Sequence, residues 1–387
     1  MKLVKIILFI SAVMIIACSN GKNSKNDEDF SEADVIVTDQ DSDATEKDTD
    51  FFINDNDING DSDSIESDQE IITDAETEDG VETDDNDQIL AECPIFKTGV
   101  NEIVVNGEES KNLTRKFILD LPENIEEKTS WPLIFAWHGV GDSASNFRGF
   151  LGSSVDNTIM PFILVTPEDA GYSMETIPPE GVDWDNLVLA NGSIEAEFFD
   201  TLMPCLKKQF GIDEKRIYMT GMSAGSIATD SLAVLRGEQL ASIFTYSGAY
   251  FSNPKNPEDL GTYMGFEVAS FISWPEMKIN NKFVQLFMHG AEGDESCTSS
   301  SVCDKYGFNG FYINFNHMAR FDAPYLNDLG HDTILCNHGK GHTIAGLNKL
   351  QLIRFFYDHP KGTVNSVYKD GFPEDWPKDL CVFNPKK

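Results

Sequence analysis

Short, unbroken apolar runs separated by amphipathic stretches set the rhythm of this chain from about residue 100 onward. Ile103-Val104-Val105, Lys116 to Leu121, Trp131 to Trp137, Pro161 to Val165, Arg216 to Thr220, Ala241 to Tyr246, Phe283 to Met288 and Asp332 to Cys336 read as strands. Their β-branched and aromatic content, with little polar alternation, is that of strands buried on both faces. Between them the period changes to that of helices. Asp142 and Ser143 cap a segment through Phe147, Phe150 and Leu151. Ile194 to Phe210, Ser226 to Leu235 and Leu347 to Tyr357 carry apolar residues at helical spacing. Alternating strands and helices predict an α/β fold around a mostly parallel sheet.

The first 92 residues depart from this rhythm. Lys2 and Lys5 precede an apolar run from Ile6 to Ala17, interrupted by Ser11 and ending in Ile15-Ile16-Ala17-Cys18. That run is short for a membrane span and has the form of an export signal. Its last four residues resemble the lipobox of bacterial lipoproteins, which implies a signal peptide over 1–17 and lipidation at Cys18. From Ser19 to Glu92 there are 27 acidic residues and three lysines, about two thirds of the net charge of −36. Such a segment buries too little apolar area to offset its ordering entropy, so 18–92 is expected to be a disordered acidic tether. Within it, Asp55-Asn56-Asp57-Ile58-Asn59-Gly60 with Glu66 matches an EF-hand loop pattern. In so acidic a stretch, without flanking amphipathic helices, weak cation binding is the expectation. A globular domain is expected over 93–387. The overall acidity argues against nucleic acid as a partner.

One stretch concentrates the chemistry. Gly221-Met222-Ser223-Ala224-Gly225 joins a predicted strand to a predicted helix, which is the form of a nucleophile elbow. A serine needs a base, and the base an orienting acid, in the chain order Ser, acid, His. After the strand ending in His289-Gly290 come Glu292 and Asp294, with Glu295 and Asp304 further on. Asp294 is the favoured acid and Glu292 its main rival. His342 follows the last strand within a glycine-rich turn and is the favoured base, ahead of His338. His138 and His289, each before a glycine at a strand end, are expected to brace loops. Backbone N–H groups of Ala224 and Val140, the latter in His138-Gly139-Val140-Gly141, are the candidate oxyanion donors.

Pro132 to Gly141, Asp213 to Gly225, the His289–Asp294 loop and Gly341-His342-Thr343 together resemble secreted esterases. These are the polyhydroxybutyrate depolymerases and the feruloyl and acetylxylan esterases. The resemblance spans about Cys93 to Pro360 and implies the α/β-hydrolase fold, with Ser223 as nucleophile, Asp294 as acid and His342 as base. The chain departs from the pattern by one extra residue before the aspartate, and by Ser226 where a glycine is common. The implied substrate is a carboxylic ester, polymeric esters among the candidates. A non-catalytic surface module or a serine peptidase on the same fold are the competing expectations.

No cofactor is expected, and no metal, because no Cys/His pair has zinc-site spacing. The expected assembly is a monomer held at a membrane by its N-terminal lipid, in the cell envelope or secreted. Besides Cys18 there are six cysteines, which allow 15 pairings. A bridge from Cys336 to Cys297 or Cys303 would tie the base loop to the acid loop. Trp184, Tyr172 and the loop Ser252–Lys282, with Phe266, Phe271 and Trp274, are candidates for a substrate wall or for lid core.

Overall fold

In the computed structural model the described residues are 93–386, apart from 171–182, 186–192, 258–259, 264–265, 268–273, 298–310 and 364. Cys18, the export signal, the tether with its Asp55–Glu66 loop, Tyr172, Phe271, Cys303 and Asp304 lie outside the described residues.

The strands of the larger sheet are β1 (Gly99–Val105), β2 (Leu113–Asp120), β3 (Trp131–Trp137), β4 (Ile163–Pro167), β5 (Ile212–Met222) and β6 (Ser242–Tyr246). It is completed by β9 (Val284–His289), β12 (Asp332–Asn337) and β13 (Cys381–Phe383). A smaller antiparallel sheet is built from β7 (Gly261–Tyr263), β8 (Phe266–Glu267), β10 (Glu295–Cys297) and β11 (Phe311–Asn314). The large sheet runs in the order β1-β2-β4-β3-β5-β6-β9-β12-β13. From β4 to β12 neighbouring strands are parallel, and antiparallel pairs close both margins. This is the α/β-hydrolase fold.

All seven residues of β3 are buried, as the unbroken run Trp131 to Trp137 requires of a central strand covered on both faces. The strand pleat divides them. Leu133, Phe135 and Trp137 point into one core with Phe198, Leu202, Ile227, Leu232 and Met318. Ile134 and Ala136 point into the other with Phe147, Leu151, Leu352 and Phe356. Thus helices α2 (Ser193–Phe210), α3 (Ala224–Arg236) and α4 (Phe315–Asp328) cover one face. Helices α1 (Ala144–Leu151) and α5 (Lys349–Asp358) cover the other. Ser143 caps α1 by accepting from Asn146 N–H at 3.2 Å. Asn348 and Gln351 form a reciprocal capping box on α5.

The cysteine pairing differs from expectation. Cys336 is bonded to Cys381, and Cys93 to Cys205. The reason is register: Cys336 on β12 lies directly opposite Cys381 on the three-residue strand β13. The bridge therefore fastens the C-terminal segment to the sheet margin instead of joining the acid and base loops.

Candidate active site

The elbow follows from steric constraints at three alternate residues, Gly221, Ser223 and Gly225. Ser223 has φ 57° and ψ −122°, a region that side-chain-bearing residues avoid. A Cβ on Gly221 would stand 2.4 Å from the Gly225 carbonyl, and one on Gly225 would stand 2.1 Å from the Trp137 carbonyl oxygen. The strand-to-helix turn can close against β3 only because both positions are glycine. Ser226, where a third glycine is common, is accommodated by hydrogen bonds. Its hydroxyl donates to the Gly221 and Tyr246 carbonyls at 2.6 and 2.7 Å. Ser223 N–H donates to the Tyr246 carbonyl at 2.9 Å, which ties the elbow to β6.

Three loops at the carboxyl ends of β5, β9 and β12 bring the predicted residues together. Ser223 Oγ lies 2.9 Å from His342 Nε2, and His342 Nδ1 lies 2.8 Å from Asp294 Oδ1. Asp294 is fully buried and otherwise saturated with donors. Its carboxylate accepts from the Ser247 hydroxyl at 2.9 and 3.1 Å and from Gly290 N–H at 2.8 Å. Such a buried, hydrogen-bonded carboxylate holds one imidazole tautomer, with the proton on Nδ1 and Nε2 free to accept.

The acid and base loops interlock. Gly341 N–H donates to the Gly290 carbonyl at 2.9 Å, and a Cβ on Gly290 would stand 1.9 Å from the Gly341 carbonyl oxygen. The His342 ring stacks on Phe315 with centroids 5.0 Å apart and planes 15° from parallel. Phe315 opens α4, and its N–H donates to the Asp294 carbonyl at 3.0 Å. Ser247 and Phe315 thus fix the acid and the base, and neither is marked by any motif or periodicity. In retrospect the clue to Ser247 is its place immediately after β6; it adopts φ 58° to aim its hydroxyl at Asp294.

The remaining candidates sort by position. Glu292 is exposed, and Glu295 accepts from Tyr312 Oη and Asn314 Nδ2, each at 3.0 Å. Neither is bonded to His342. His338 has its proton affinity lowered by burial, and its Nδ1 accepts from Lys340 N–H at 3.2 Å. His289 is buried and pushed down to about 4 by desolvation; it braces its loop through Ala291 N–H at 3.3 Å. His138 likewise sits buried with Nδ1 2.9 Å from the Gly139 carbonyl. The loop with Val140 approaches the elbow through Gly139, whose added Cβ would lie 3.5 Å from Ser223 Cβ. Ala224 is the first residue of α3. Trp184 is wholly buried, donates to the His138 carbonyl at 3.0 Å and packs edge-on against Trp137. Trp274 is buried against Tyr250 and Phe251. Both tryptophans therefore belong to the core.

Comparison with solved structures agrees on the fold. The chain is similar to native pOPH, with a TM-score of 0.55 at 17% identity over 76% of this chain and 98% of that one. It is similar to native sOPH, with a TM-score of 0.56 at 16% identity over 76% of this chain and 96% of that one. Among curated proteins it is 26% identical to feruloyl esterase D of Neurospora crassa over 182 residues, 45% of this chain and 61% of that protein. It is 24% identical to a probable feruloyl esterase C of Aspergillus terreus over 192 residues, 48% of this chain and 67% of that protein. The chain thus spans about three fifths to two thirds of the length of these relatives. No family model matches it. The likeness to feruloyl esterases expected from the motifs is present, on an α/β-hydrolase fold.

Proposed function

We propose that this protein is an extracytoplasmic serine esterase that cleaves carboxylic esters through an acyl-enzyme. The observation that carries the proposal is the chain of two bonds, 2.9 and 2.8 Å, from Ser223 through His342 to Asp294. As Ser223 Oγ attacks the ester carbonyl carbon, its proton passes to His342 Nε2, and Asp294 stabilises the imidazolium through Nδ1–H. The carbonyl oxygen becomes an oxyanion, for which the backbone N–H groups of Ala224 and Val140 are the proposed donors. The imidazolium then protonates the departing alcohol oxygen. Water, deprotonated by the same imidazole, attacks the acyl carbon and releases the acid and Ser223. The likeness to feruloyl esterases supports hydroxycinnamoyl esters of polysaccharide as the first substrates to try, with acetyl and 3-hydroxybutyrate esters beside them. The two disulfides among the described residues support an oxidising, extracytoplasmic setting. The lipobox-like Cys18 supports a lipid anchor joined to the domain by the acidic tether.

A serine-directed phosphonate separates this reading from a non-catalytic surface module. The esterase incorporates one label, at Ser223, and loses turnover in proportion; an unlabelled protein, or label elsewhere with activity intact, overturns the reading. Matched ester and amide substrates with the same acyl group then separate esterase from peptidase.

A further inference from the structure

We infer that His138, Asp169 and Asp183, with Glu168 beside them, form a binding site for one divalent cation of the Zn2+ or Mn2+ type at the rim of the candidate active site. The groups converge from separate parts of the chain. His138 follows β3, Glu168 and Asp169 follow β4, and Asp183 comes from the segment that carries Trp184. One ring nitrogen of His138 and one carboxylate oxygen each of Asp169 and Asp183 lie within 4.8 Å of one another. Glu168 Oε1 lies 3.8 Å from His138 Nε2. Ligands about 2.1 Å from a shared ion stand roughly 3–4 Å apart, so small side-chain rotations close the site.

The imidazole, more than the carboxylates, points to an ion. His138 is 0% exposed. Its Nδ1 faces two acceptors, the Gly139 carbonyl at 2.9 Å and Asp183 Oδ2 at 3.5 Å, an arrangement that favours the ring proton on Nδ1 and leaves Nε2 with its lone pair. Nε2 has no hydrogen-bond partner and faces the Glu168 carboxylate. A buried, unpartnered acceptor that faces a half-buried carboxylate is satisfied by a cation shared between them. A metal-bound histidine characteristically donates its other ring N–H to a backbone carbonyl, as this one does. Charge leads to the same place. Three carboxylates surround one imidazole, while Arg115, the buried guanidinium nearby, is engaged by Glu195 at 2.8 Å and by the Glu168 carbonyl at 3.2 Å. A nitrogen ligand among carboxylates selects Zn2+ or Mn2+ over Mg2+, which prefers oxygen.

The position gives the ion a task. Asp183 Oδ2 also accepts from Gly141 N–H at 2.9 Å, and Trp184 donates to the His138 carbonyl at 3.0 Å. An ion there would pin the 183–185 segment to the Gly139–Gly141 loop, whose Val140 is the proposed second oxyanion donor. It would position that loop without touching the ester.

The test uses the full chain, stripped with a chelator and held in excess Mg2+ to saturate weak carboxylate sites in the tether. Zn2+ and Mn2+ are titrated separately, with calorimetry and the melting temperature as readouts. One ion should bind per chain and raise the melting temperature. In Asp169→Asn and in Asp183→Asn, both partly exposed and so tolerant of the isosteric change, affinity should fall at least ~100-fold and the thermal shift should vanish. Absence of saturable binding by the wild-type protein overturns the inference. So does binding that survives undiminished in the double variant. Both readouts are independent of ester hydrolysis and distinguish failure of the metal site from failure of the esterase proposal.

Discussion

At Ser223 two local preferences are overridden. Serine at a helix N-cap ordinarily accepts a hydrogen bond from the first turn, yet here the cap bond is missing and the hydroxyl is turned to His342. The positive φ of 57° adds strain of about 1–3 kcal/mol. Ser223→Gly should therefore be more stable than Ser223→Ala by about 1 kcal/mol, read by chemical denaturation, with both inactive. Equal stabilities would show that the elbow is not strained. Catalysis at this scale should be shared and non-additive. Ser223→Ala and His342→Ala should each lower kcat on the order of 10^4- to 10^6-fold, and the double variant should be little worse than either. Asp294→Asn should cost less, because Ser247 and Gly290 still hold residue 294 near the ring. A silent Asp294→Asn beside a severe Glu292→Gln would reassign the acid despite the distances.

At the scale of elements, what could be read from the sequence was whatever buries on both faces or repeats over several turns. The strand Trp131–Trp137 and the helix Ser193–Phe210 announce themselves by run length and period. The strands of the smaller sheet, two to four residues each, are too short to establish any period. Helix α4 carries Pro324 in its interior and no capping signal beyond Asn314, so its pattern is weak. The catalytic loops were legible because the order serine, acid, histidine follows strand ends. Ser247, Phe315 and the His138–Asp169–Asp183 cluster were not, because their partners are distant in sequence and meet only through β4, β6 and α4. One packing feature has a pH signature. Asp230 on α3 is fully buried, accepting from Gln285 Nε2 at 2.8 Å, and burial raises its pKa well above the usual carboxylate value. Asp322 on α4 is raised to about 7 for the same reason. In the native state Asp230 binds a proton that the unfolded chain releases near pH 4, so its contribution to stability falls as pH rises above that value. Asp230→Asn keeps the side chain neutral and should flatten the decline between pH 5 and pH 8 in denaturant titrations. A slope equal to that of the wild type would mean Asp230 is ionised in the native state.

At the scale of the whole molecule, one bridge among the described residues fastens the start of the domain to α2 and another fastens the last strand to the sheet. Cys93, at the start of the described residues, is bonded to Cys205 on α2, enclosing a separation of 112 residues. Cys336 on β12 is bonded across 45 residues to Cys381 on the margin strand β13. Neither touches Ser223, His342 or Asp294, so their effect is on the unfolded ensemble more than on the site. Closing loops of these lengths corresponds to about 4–5 kcal/mol each in the chain-entropy model. The Cys336–Cys381 bridge also holds β13 in place, and with it the segment in which Tyr368, Phe372 and Trp376 pack on one another. Paired replacement of Cys93 and Cys205 by alanine should lower stability by several kcal/mol while leaving kcat near that of the wild type at temperatures where the domain stays folded. Paired replacement of Cys336 and Cys381 should cost as much or more despite enclosing the shorter loop, because loss of the bridge also frees β13 and exposes apolar surface on one face of the sheet. Denaturation midpoints with m-values decide between these contributions. A smaller m-value for the second variant alone indicates that its C-terminal segment has already detached in the native state, whereas a loss smaller than that of the first variant, with m unchanged, would show that β13 stays docked and chain entropy alone sets the difference.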